Sequence, residues 1–101
     1  PYPFPTVSAG DPTWRQNLPG NSWGYYSQGL TALRSLRWME AYGKGAQLNQ
    51  LLEKWVAAWT RSETPFGQEL HPLAVEPSQS SPWYSSCMLV YLYALRRLYG
   101  L

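Results

Sequence analysis

Pro82-Trp83-Tyr84-Ser85-Ser86-Cys87-Met88-Leu89-Val90-Tyr91-Leu92-Tyr93-Ala94-Leu95-Arg96-Arg97-Leu98-Tyr99-Gly100 decides the reading of the fold. The spacing predicts a helix from about Pro82 to Tyr99. Ser80 or Ser81 serves as its cap, Pro82 suits its first turn, and Gly100 stops it. From Cys87 to Leu95 no residue carries a charge. Such a helix is apolar on nearly every side and needs cover on nearly every side.

Moving back along the chain, a second helix is expected from about Gly45 to Arg61. Leu48, Leu51, Leu52, Trp55, Val56 and Trp59 form one stripe, and Gln47, Asn49, Gln50, Glu53 and Lys54 take the other face. A first helix is expected from about Trp23 to Tyr42, capped by Asn21 or Ser22 and stopped at Gly43-Lys44-Gly45. Tyr26, Leu30, Leu33, Leu36 and Met39 keep helical spacing, with Trp38 off that stripe. Trp38, Trp55 and Trp59 sit at mid-helix positions and read as core. No sheet is expected between Gly24 and Tyr42.

Two irregular segments surround these helices. Residues 1 to about 21 carry Pro1, Pro3, Pro5, Pro12 and Pro19, each of which removes a backbone donor. Ser62 to Ser81 has neither helical nor strand period and holds Pro65, Gly67, Pro72 and Pro77. Long loops of this kind are usually functional. A short internal similarity links Trp23-Gly24-Tyr25-Tyr26-Ser27 with Trp83-Tyr84-Ser85-Ser86, and Ala32-Leu33-Arg34-Ser35-Leu36 with Ala94-Leu95-Arg96-Arg97-Leu98. The first and third helices therefore read as equivalent, parallel elements with an antiparallel amphipathic helix between them. That is the rhythm of stacked helical hairpins. The fold class is all-α: three helices of an α/α toroid, joined by long irregular loops.

Composition points the same way. The chain has 101 residues, 14% of them charged and 16% aromatic, with six Trp and eight Tyr. An ordinary soluble domain carries roughly 25% charge. Residues 1–101 are therefore expected to form a single segment, the C-terminal part of a larger helical domain. On its own it should leave apolar surface exposed, to be covered by the rest of the parent chain or by self-association. Net charge is +2, with scattered basic residues, which argues against nucleic acid as partner. No apolar run approaches the roughly 20 residues of a membrane span. Pro1–Gly10 does not read as a signal peptide, and the compartment stays open. Cys87 is the only cysteine, so no internal disulfide and no Cys-rich metal site is expected. It reads as a small buried hydrophobe. No cofactor or metal is expected.

The chemistry-bearing stretch is Phe66-Gly67-Gln68-Glu69-Leu70-His71-Pro72, followed by Glu76-Pro77 and by Trp83-Tyr84 at the start of the third helix. A loop braced by prolines can hold a carboxylate against a pocket. On composition alone, a glutamate in such a loop is more often a solvated surface residue. Trp and Tyr offer flat faces with a polar edge. Trp23, Tyr25, Tyr26, Trp83 and Tyr84 are the candidate faces, and a core role competes for each. His71, the one histidine, could orient Glu69 or touch substrate.

These stretches resemble the (α/α)6-barrel glycoside hydrolases, the group that holds trehalase, mannosyl-oligosaccharide glucosidase and glucoamylase. Pro1-Tyr2-Pro3-Phe4-Pro5, Asp11-Pro12, Trp23-Gly24-Tyr25-Tyr26 and Leu33 to Gly43 are similar to the loop and penultimate inner helix of that group. Glu69-Leu70-His71-Pro72 with Trp83-Tyr84-Ser85-Ser86 is similar to its block around the catalytic base. Two departures leave the family member and sugar open. Gly24-Tyr25-Tyr26 stands where Arg-Gly-Pro is common, and Ala74-Val75 where Thr-Gly is expected before Glu76.

The resemblance implies an inverting hydrolase of α-glucosides or related oligosaccharides. One carboxylic acid protonates the leaving oxygen while a second carboxylate, roughly 6.5–9.5 Å away, activates water. The resemblance makes Glu69 that second group, the general base. It implies substrate contacts for Trp23, Tyr25, Tyr26, His71, Trp83 and Tyr84. The family's acid lies upstream of this stretch, so this chain alone is expected to lack it; Asp11 and Glu76 are weaker stand-ins. The alternatives are a non-enzymatic helical interaction or carbohydrate-binding module, and a copy that keeps the fold without the chemistry.

Overall fold

The computed structural model describes residues 3–5, 8, 10–12, 26–62, 65–70 and 82–101. Among them the chain forms β1 (Ser27–Gln28), α1 (Gly29–Ala41), α2 (Gly45–Arg61), β2 (Glu69–Leu70) and α3 (Ser85–Tyr99). The all-α architecture of three helices holds, with one minimal strand pair added.

α2 keeps the limits its periodicity predicts. Leu48, Leu52, Trp55, Ala58 and Trp59 are buried at helical spacing, and Leu51 and Val56 pack half-buried beside them. Glu53 and Lys54 face solvent. Trp55 and Trp59 are core, as expected. α1 ends where glycine permits it. Gly43 takes φ 70°, its N–H reaches the Glu40 carbonyl at 3.1 Å, and Lys44 N–H reaches the Met39 carbonyl at 2.7 Å. These two bonds satisfy carbonyls that a helix end otherwise leaves open. Gly100 closes α3 in the same left-handed region, donating to the Arg96 carbonyl at 3.0 Å.

The contacts between helices fix their directions. The first residue of α1, Gly29, lies against Ser86 and Cys87 at the start of α3. Toward the other end, Glu40 of α1 accepts from Tyr93 Oη at 2.7 Å and forms an ion pair with Arg97, both on α3. α1 and α3 therefore run parallel. Arg97 Nε also donates to Asn49 Oδ1, near the start of α2, at 2.7 Å. α2 thus runs antiparallel to α3, as the hairpin rhythm requires.

Several expectations need correction. The first helix starts at Gly29, not Trp23, and a sheet does occur before Tyr42. Ser27 and Gln28 extend and pair antiparallel with Leu70 and Glu69, and Pro5 bridges to Ser27. Ladder partners far along the chain outweigh the local helical spacing of Tyr26. The cap of α1 is Gln28, and that of α3 is Tyr84; neither uses a side-chain hydrogen bond. Asn21, Ser22, Ser80 and Ser81, the expected caps, lie outside the described residues. α3 begins at Ser85 rather than Pro82, because the backbone before it is tied elsewhere. Trp83 N–H donates to the Pro65 carbonyl at 2.9 Å and Tyr84 N–H to the Phe66 carbonyl at 2.7 Å.

α1 buries Ala32, Ser35, Leu36 and Met39 along one stripe. Leu30 falls on the opposite side, and Trp38, expected in the core, is 51% exposed a quarter-turn away. α3 turns its small residues inward: Ser86, Cys87, Val90 and Ala94 are buried. Its large apolar residues Leu89 and Leu92 are 55% and 59% exposed, and Tyr99 joins them. Two helices do leave an apolar face of the third uncovered. No helix among the described residues is long and apolar enough to cross a membrane.

Candidate functional site

β1 and β2 join the starts of α1 and α3 at one place. The register sets Gln28 directly across from Glu69, so their side chains share a face of the pair. Gln28 Nε2 donates to Glu69 Oε2 at 2.9 Å. A carboxylate only accepts, so the amide must present its NH2 group here. Gln28 is 2% exposed, while Glu69 is half-buried. The backbone of Gln28 is held as well, its N–H donating to the Phe4 carbonyl at 3.2 Å. Phe4 in turn packs edge-on to Trp55 with ring centroids 5.9 Å apart. The N-terminal segment, β1 and the core helix α2 are thus linked behind the carboxylate.

Beside Glu69 the residues before β2 are strapped to those before α3. The two Trp83 and Tyr84 bonds to the 65–66 turn form the strap. Phe66 and Trp83 both take left-handed backbone, with φ 46° and 58°. A residue with a Cβ costs about 1–2 kcal/mol in that region. Such strain persists only where the surroundings over-determine it, and it clusters at ligand sites. Here the surroundings are aromatic. The Phe66 ring lies 5.0 Å from Tyr91, 5.7 Å from Trp59 and 6.1 Å from Trp83. Phe66 is held from three sides, and Trp83 leans on it while staying 63% exposed. The result is an outward aromatic face on a rigid footing.

The sequence-predicted residues divide as follows. Glu69, Trp83 and Tyr84 stand on these strapped segments, and Tyr84 is exposed. Tyr26 is half-buried immediately before β1. Trp23, Tyr25 and His71 lie outside the described residues, as does Glu76. Asp11 is exposed in a short turn, its N–H donating to the Ser8 carbonyl at 2.9 Å. Gln28 and Phe66 were not singled out by sequence. For Phe66 the Pro65-Phe66-Gly67 turn was the available signal. For Gln28 there was none, since its partner is 41 positions away.

Cys87 is fully buried beside this site, and its Sγ donates weakly to the Gln68 carbonyl at 3.5 Å. Burial pushes the thiol up to about 12, against a smaller opposing pull from the Gly29 backbone N–H. It stays protonated near neutrality and is no nucleophile there. Among the described residues, no group of three or more His, Cys, Asp or Glu side chains stands together. The segment offers the Glu69 carboxylate, held by Gln28 on a short strand, and an exposed aromatic residue, Trp83, tied to the turn three to four residues before Glu69.

No family model matches the chain, and neither the curated proteins nor the solved structures provide a match.

Proposed function

We propose that this chain is the C-terminal segment of an inverting (α/α)6-type glycoside hydrolase acting on α-glucosides or related oligosaccharides. In this reading Glu69 is the general base, and Trp83 and Tyr84 hold the sugar ring. The observation that carries it is the strap: a half-buried glutamate on a short strand, three positions after a strained Phe66 that supports the exposed Trp83. The buried core residue Phe4 shares this left-handed backbone; what sets the strap apart is that its fixed ring, Trp83, is exposed, as a binding face requires. The resemblance of Glu69-Leu70-His71-Pro72 and Trp83-Tyr84-Ser85-Ser86 to the family's base-bearing block supports the same assignment.

Glu69 would draw a proton from a water molecule as that water attacks the anomeric carbon. The general acid, from the upstream part of the parent protein, would protonate the leaving oxygen on the other face. Attack from the far side inverts the anomeric centre, so an α-glucoside first releases β-glucose. Proton NMR of the intact protein's reaction with kojibiose, nigerose, maltose and trehalose tests this directly. Early glucose enriched in the β-anomer from the three reducing sugars, and equal α- and β-glucose from trehalose, whose leaving half keeps its α configuration, support the reading. Early glucose enriched in the α-anomer, or no hydrolysis, overturns it.

A second reading, a non-enzymatic helical interaction or carbohydrate-binding module, draws on the exposed Leu89 and Leu92 of α3. It predicts binding of partner or sugar without turnover.

A further inference from the structure

Gln28 is the least expected residue of the site. A buried primary amide is unfavourable unless its hydrogen bonds are made, and a strand position next to a helix start has cheaper occupants. Yet Gln28 is almost completely enclosed, and its side-chain donor goes to the Glu69 carboxylate. The terminal torsion of a glutamate is broad, so a carboxylate left to itself samples many orientations. A general base needs one of them, with a lone pair aimed at the water it deprotonates. The amide binds one oxygen, Oε2, and so favours the orientations that keep this bond. Being neutral, the amide orients the carboxylate without supplying a counter-charge, which an arginine or lysine there would do. Its own position is set by the strand register and by the bond from its backbone to Phe4.

We propose that Gln28 is a positioning residue of Glu69, helping to hold the carboxylate in the orientation that base catalysis requires. The inference rests on the reading of Glu69 as general base. It assigns a role to an almost fully enclosed residue that acts through the carboxylate.

The test is a double-mutant cycle on the intact protein, with kcat and KM measured on kojibiose, nigerose, maltose and trehalose. Gln28→Met keeps the length of the side chain and removes the donor. Misplacing a reacting group by about 1 Å can cost 10²-fold, so a fall in kcat of roughly 10- to 100-fold is expected, with KM little changed. In the Glu69→Gln background the same change should have no further effect, because the group being positioned is already gone. A merely structural Gln28 would lower turnover equally in both backgrounds. Gln28→Glu is a second variant, isosteric with the original but setting two carboxylates face to face in a buried site. It too should lose turnover, and it should melt below the wild type because a buried like-charge pair is unfavourable.

Equal losses in both backgrounds overturn the positioning role and leave the base assignment standing. So does full turnover in both Gln28 variants. Full turnover in Glu69→Gln, or none in the wild type, overturns the base assignment and the role of Gln28 with it.

Discussion

Alanine at position 29 adds one methyl group where α1 meets α3. An ideal Cβ built on Gly29 falls 2.7 Å from both the backbone nitrogen and Sγ of Cys87, and 2.8 Å from Ser86 Oγ. Non-bonded carbon contacts are favourable near about 3.5–4.0 Å, so the helices must separate by close to 1 Å at this point. The thiol and the hydroxyl can rotate aside, but the Cys87 nitrogen belongs to a helix backbone and cannot. Forcing an extra methyl into a packed site costs typically about 1–3 kcal/mol, and an immovable neighbour puts Gly29→Ala in the upper half of that range. Alanine recovers up to about 1 kcal/mol through helix propensity. The net loss is then about 2 kcal/mol, a drop in melting temperature of roughly 8–16 °C for a domain of this size. Two companions make the thermal-unfolding assay specific. Gly45→Ala meets only a side chain, the guanidinium of Arg97 at 3.3 Å, which must give by a few tenths of an ångström; the change should be far milder than Gly29→Ala. Adding Cys87→Ala to Gly29→Ala removes the sulfur but not the nitrogen, so it should fail to restore stability. A Gly29→Ala protein within about 0.5 kcal/mol of wild type, the ordinary range of surface changes, would refute the close parallel crossing of α1 and α3.

Two further outcomes follow from burial. Burial raises the Cys87 thiol from its ordinary 9.0 to about 12 in the folded chain, so the unfolded chain releases this proton first as pH rises. The stabilisation is complete below about pH 9 and is lost between there and pH 12, by about 1.4 kcal/mol per pH unit. Urea titrations at pH 8 and pH 10 should show a smaller loss in Cys87→Ala than in the wild type, and equal losses would contradict the burial of the thiol. On the outer face of α3, Leu89→Glu combined with Leu92→Glu should abolish self-association and apolar-dye binding with helix content unchanged. Sedimentation velocity showing a stable, non-associating wild-type monomer that binds no such dye would contradict an uncovered face there.

What could be read from sequence follows the range of the interactions involved. α2 was legible to its ends because one stripe, Leu48 to Trp59, meets one core and no distant segment competes for its backbone. The stops at Gly43 and Gly100 were legible because left-handed geometry is a local demand that glycine meets. The start of α1 was not, because Ser27 and Gln28 take partners at Leu70 and Glu69 that nothing in the local spacing announces. Nor was the start of α3, whose approach is tied down by the carbonyls of Pro65 and Phe66. Trp38 was misread because a tryptophan at mid-helix spacing looks like core, while Ala32, Leu36 and Met39 set the buried stripe to one side of it. In the site, Glu69 and Trp83 stood out by residue type among prolines and glycines. Gln28 did not, since a glutamine after a serine carries no signal until the strand register sets it against a carboxylate.

The most direct test of the central claim is the turnover of Glu69→Gln in the intact protein, with an α-glucoside that the wild type hydrolyses. The substitution keeps the shape of the side chain and removes its ability to take a proton. General-base catalysis contributes roughly 10²–10⁴-fold, so kcat should fall by that factor. KM should change far less, because the base acts mainly in the transition state. The same change at the exposed Glu53 of α2 should leave turnover nearly intact. A Glu69→Gln protein that keeps more than about a tenth of wild-type turnover would lie outside that range and would contradict both the site and the hydrolase reading built on it.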